Sequence, residues 1–154
     1  LDTLAAVFGP GSALGAGDVE PFLGTGGDVA PWDLTDAIDR GDVPRALDCL
    51  SRMLDVGGRH PLAVMASLHG HFGRLLRLDG SGIHDEAGAS DALGLKGFPA
   101  KKALRASRNL GPHKTARSIR LLAAADLDLR GRSAWPPELV VEVLVARLAS
   151  LTRR

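Results

Sequence analysis

Five histidines and a single cysteine are the first candidates for chemistry in this 154-residue chain: His60, His69, His71, His84, His113 and Cys49. A helical zinc site needs two histidines at i and i+4. His69 and His71 are two apart, so on a helix they point in different directions. His60 reads as lying at or beside a helix cap and His113 in a helix's first turn. Cys49 has no ligand partner near it in sequence, and alone it can form no intrachain disulfide, which suits a reducing compartment. Nothing resembles an activated serine or cysteine. Asp126 and Asp128 are two apart on an expected helix and do not converge, while Asp85-Glu86 suits a helix N-terminus. Gly24-Thr25-Gly26-Gly27 has neither the Lys-Ser/Thr ending of a phosphate loop nor the spacing and flanking strand of a dinucleotide motif. No catalytic residue, no metal and no cofactor are therefore expected.

One charged pattern remains. From Ala92 to Ala125 there is no acidic residue, yet Lys96, Lys101, Lys102, Arg105, Arg108, Lys114, Arg117 and Arg120 fall inside it. Lys101, Arg105 and Arg108 follow i, i+4, i+7 and form one basic helix face; Arg117 and Arg120 add another on the next helix. The bland reading is a solvated face. The functional reading, centred on Lys101, Lys102, Arg105, Arg108, Arg117 and Arg120, is a surface for DNA phosphates or an acidic partner. Without interleaved aromatics there is no base stacking, so such DNA contact would be to the backbone and non-specific. Charge is uneven along the chain. Residues 1–55 carry ten acids and three arginines (−7), and residues 56–154 carry sixteen basic and eight acidic side chains (+8).

The elements that must position these residues are helical. Aromatics make up 4% of the chain and tyrosine is absent, so the core must be Leu, Val and Ala. No stretch shows strand alternation, and no apolar run reaches the ~18 residues of a membrane span. An all-α bundle is expected. Leu1 to Phe8 reads as the end of an amphipathic helix stopped by Gly9-Pro10-Gly11, and a short helix follows Asp18. The glycine-rich junction through Asp28 places a boundary near residue 30. Residues 1–30 are then one unit and residues 31–154 another. In the second unit, Asp33 is the expected cap of a helix ended by Gly41, Asp42 caps the next, and Pro61 opens a long helix to about Leu78. A short helix spans Asp85 to Leu93. Pro99 starts a helix to Leu110, and Gly111-Pro112 ends it and starts another.

The last helix follows Trp135-Pro136-Pro137-Glu138. Leu139, Val143, Leu144, Leu148 and Leu151 share one face by the i, i+4 rule, and Val140, Val141 and Val145 widen it. A helix this broadly apolar must be covered on more than one side. It is either a central core helix or one that packs inside and meets a partner outside.

Several stretches together resemble the delta subunit of the bacterial DNA polymerase III clamp loader. They are Trp32-Asp33-Leu34-Thr35-Asp36-Ala37-Ile38 with Gly41-Asp42 and Arg45-Ala46-Leu47; His60-Pro61-Leu62 leading to His71-Phe72-Gly73-Arg74-Leu75-Leu76-Arg77-Leu78; Leu93-Gly94-Leu95-Lys96; Phe98-Pro99-Ala100-Lys101-Lys102-Ala103; and Ala125-Asp126-Leu127-Asp128-Leu129-Arg130-Gly131 before the terminal helix. Each is weak alone; their order and spacing over residues 32–151 carry the resemblance. It implies that residues 1–30 are the tail of a small helical lid-like domain and that the rest is the helical collar domain. The chain begins with leucine, which suits a piece of a longer protein. In that family, collar domains of five subunits form a ring, and the clamp-opening element sits in a first domain that would lie upstream. The resemblance implies a non-catalytic part of a nucleotidyltransferase holoenzyme, cytoplasmic and replisome-associated. Its partners would be gamma/tau-type and delta-prime-type subunits, with the sliding clamp reached only through the upstream domain, and with no membrane. The subunit contact is expected on the terminal helix, through Val141, Val145, Leu148 and Leu151.

Overall fold

A computed structural model describes residues 29–153; the readings for Leu1 to Asp28 lie outside the described residues. Within them the chain is all-α, with six α-helices and no strand. They are α1 Pro31–Arg40, α2 Val43–Asp55, α3 Pro61–Leu78, α4 Glu86–Leu93, α5 Phe98–Leu127 and α6 Pro137–Thr152.

Local chemistry accounts for most of the boundaries. Asp42 caps α2 by accepting from the Arg45 N–H at 3.1 Å, and Asp85 caps α4 by accepting from Gly88 N–H at 2.7 Å. His60 caps α3: its Nδ1 accepts from Leu62 N–H at 3.2 Å, while Pro61 takes the first helical position. The expected cap at Asp33 is corrected. α1 starts earlier, with Ala30 as its cap residue and Pro31 at the first position, so Asp33 falls in the first turn, where its charge suits the helix dipole.

Gly111-Pro112 ends one helical arm and starts the next, as expected: Gly111 leaves helical geometry at φ 73°, ψ 166°, so α5 is two arms joined at a kink. Thr115 Oγ1 donates to the Gly111 carbonyl at 2.8 Å, satisfying an acceptor that the bend exposes. Beyond Leu127 the chain widens into a π-helical turn, Asp128–Arg132, which Gly131 closes at φ 100°. Two ion pairs, Arg130–Asp126 and Arg132–Asp128, each at 2.8 Å, brace this turn. The two aspartates that fail to converge each take their own arginine.

The terminal helix is the centre of the bundle, packed on α1, α2, α3 and α5. Val140, Val141, Leu144, Val145, Leu148 and Ala149 are buried. The apolar face is thus rotated from the expected stripe: Leu139 is 39% exposed, and Val143 and Leu151 are only partly covered. Around α6 lies one continuous core that includes Ile38, Leu50, Met53, Leu68 and Phe72. A smaller cluster of Leu78, Ala89, Ala100, Ala103 and Leu104 fastens α4 between the end of α3 and the first arm of α5.

Candidate functional site

A cleft of about 460 Å³ opens between α1, α3 and the first arm of α5. Each helix supplies its lining at helical spacing. α1 brings Trp32, Thr35 and Asp39 at i, i+3, i+7; α3 brings His71 and Arg74; α5 brings Pro99, Lys102 and Ala106. Phe98 stands at the start of α5 with 74% of its surface exposed, and Trp32 at the start of α1 with 48%. Leu95 and Ala103 complete an apolar wall.

Two polar side-chain pairs line or flank the cleft. His71 Nε2 meets Asp39 Oδ1 at 2.9 Å, and the two side chains are 10% and 20% exposed. The His71 ring also stands edge-on to Phe72, centroids 5.1 Å apart at 87°. The Lys102 ammonium reaches Asp36. Arg74 is exposed, and its guanidinium has no ion-pair partner among the described residues. The Thr35 hydroxyl donates to the Trp32 carbonyl at 3.1 Å, and no serine or cysteine lines the cleft. This arrangement suits binding: an apolar slot with exposed aromatics at its mouth and a cation at its edge.

The six basic residues singled out from the sequence do not form one set. Lys102 turns into the cleft and pairs with Asp36. Arg108 Nη2 donates to the His84 carbonyl at 2.6 Å, tying α5 to the loop before α4. Lys101 and Arg105 are exposed on the first arm of α5, and Arg117 and Arg120 on the second, with the Gly111 bend between.

The four residues expected to form a subunit contact are placed differently. Val141, Val145 and Leu148 are each 0% exposed, covered by their own chain, and Leu151 is partly buried. Val141, Val145 and Leu148 are core residues, because four helices of the same chain already surround α6. The apolar surface left open lies elsewhere, at Trp32 and Phe98 in the cleft and at Leu127, Trp135 and Leu139 among others.

Sequence reasoning missed the His71–Asp39 pair. Its trace was His71 beside Phe72 on the buried stripe of α3 between Leu68 and Leu75. Cys49 is fully buried on α2, and burial pushes its thiol up from its ordinary value, with smaller and opposing effects from Arg45, Asp33, Asp48 and Arg52. Among the described residues no group of three His, Cys, Asp or Glu could hold a metal ion, and no helix is long and apolar enough to cross a membrane. Comparison with models of known protein families gives no match, and comparison with curated proteins gives none either.

Proposed function

We propose that this chain is an assembly module of the DNA polymerase III clamp loader, contributing through its collar to loading the sliding clamp onto primed DNA. One observation carries the reading. Trp32, His71 with Arg74, and Phe98, Pro99 and Lys102 belong to three separate stretches that resemble the delta subunit, and they line one cleft. Separate stretches that carry one resemblance and meet at one surface support the reading of that surface as a working site. A helical bundle is also the architecture that the collar domain requires. On this reading the partners are gamma/tau-type and delta-prime-type subunits in the bacterial cytoplasm, the clamp is contacted only through an upstream domain, and the chain itself is not an enzyme.

Native mass spectrometry of the chain, alone and mixed with those subunits, tests the proposal. A mixed complex supports it. Its absence, with all components folded, overturns it.

A second reading is favoured by the exposure of Lys101, Arg105, Arg117 and Arg120 within a stretch that has no acid. These four would bind the DNA backbone without sequence preference. Binding of primed DNA that weakens steeply with salt, and whose salt slope flattens when the four are neutralised, would favour it.

A further inference from the structure

We infer that the cleft between α1, α3 and α5 is a docking site for a protein segment that carries a large apolar side chain next to an aspartate or glutamate. This inference depends on the cleft's chemistry and not on the clamp-loader reading, which can fail without it.

The size of the slot comes first. About 460 Å³ lies within the usual range for bound groups and admits more than one side chain. Its walls are Leu95, Pro99, Ala103 and Ala106, with short or rigid side chains that leave the space open. An apolar group entering here leaves water against these four side chains.

The mouth then argues for a protein occupant. Trp32 and Phe98 are large aromatics left 48% and 74% exposed, although α1 and α5 are well packed elsewhere. Exposed Trp and Phe beside an Arg are the residues that dominate binding energy at protein interfaces. The Arg74 guanidinium lies on the same lining.

Charge complementarity fixes the rest of the chemistry. Asp39 is held by His71, and Asp36, just behind the lining, is held by Lys102. Both carboxylates already have cationic or hydrogen-bonding partners inside the chain. Arg74 has none among the described residues. A carboxylate arriving with the occupant therefore meets an exposed planar donor fork with no ion-pair partner among the described residues, suited to bidentate pairing. An incoming lysine meets Arg74 and Lys102, and an Asp39 carboxylate that His71 already holds.

A displayed random-peptide library selected on the whole chain tests this, with counter-selection on the Arg74→Glu variant. The enriched peptides are expected to place Leu, Phe or Trp within two positions of Asp or Glu. Their affinity should fall about tenfold or more with Arg74→Glu and with Phe98→Ala, as truncation of an interface hot spot does. Both positions are exposed, so circular dichroism should show both variants folded. Failure to enrich any peptide over the counter-selection, enrichment without acidic residues, or affinity unchanged by both substitutions would overturn the inference. So would saturable binding of the aromatic anion anilinonaphthalene sulfonate in the cleft with no peptide enriched, which would mark a small-molecule pocket.

Discussion

His71 on α3 and Asp39 on α1 meet at 2.9 Å, thirty-two residues apart in the chain, on the floor of the cleft. The contact joins α1 to α3 within the lining that also holds Trp32 and Arg74. Both side chains are mostly covered, so removing one leaves the other short of a partner in a poorly hydrated place. His71→Ala and Asp39→Ala should each cost about 1–3 kcal/mol in urea unfolding. The double variant should cost clearly less than the sum, because the two share one interaction. Strict additivity would show that the pair contributes nothing.

Gly41 is needed for two reasons. It ends α1 in the left-handed region at φ 71°, and a Cβ there would lie 2.7 Å from the backbone of Arg153. Gly94 ends α4 at φ 65° with open space around it. Gly94→Ala should therefore lose only the left-handed backbone preference, about 1 kcal/mol. Gly41→Ala should lose more, about 2–4 kcal/mol once the end of α6 has to shift. Equal costs in thermal unfolding would contradict the close approach of α6 to this turn.

Leu148 and Val145 should behave as core residues. Leu148→Ala should destabilise the chain by about 2–5 kcal/mol. Val145→Asp should abolish the folded monomer, since the new carboxylate would be buried without a partner. Circular dichroism and size-exclusion chromatography read both. A folded Val145→Asp monomer of normal stability would mean that this side of α6 is open.

The π turn should respond to acid. The Arg132 hydrogen bond holds the Asp128 carboxyl below its ordinary value; partial burial opposes this, and the charges of Arg132 and Arg147 assist it. Arg132 is raised by the same hydrogen bond. A carboxylate whose pKa is depressed on folding contributes stability above its unfolded value, about 3.9, and loses it as pH falls through the folded value. Asp128→Asn should thus lower the melting temperature slightly near neutrality, with the two profiles converging below that range. A constant gap down to the acid limit would show that charge is not the cause. The effect is small because the pair is solvent-exposed.

Cys49 should be slow to alkylate. Its side chain is fully covered, and burial keeps the thiol protonated at neutral pH. Iodoacetamide labelling should track the open fraction in a denaturant series. Fast labelling in the native state would place Cys49 at the surface.

The sequence by itself determined the helical class and nearly every helix end, because those depend on a few consecutive residues. Asp42 and Asp85 cap, Pro61 and Pro137 open, and Gly41 and Gly94 close, each through bonds or dihedrals within one turn. Gly111-Pro112 was legible as the break between two helical arms, and the Gly111 dihedrals show that break. The phase of α6 was not legible. A helix apolar on most sides gives no local reason to prefer one face, and neighbours from α1, α2, α3 and α5 decided it. The cleft was hidden for the same reason. Lys101 and Lys102 are adjacent and chemically alike, yet one faces solvent and the other meets Asp36. Only the docking of α5 against α1 separates them, and that docking is a sum of contacts between residues far apart in the chain.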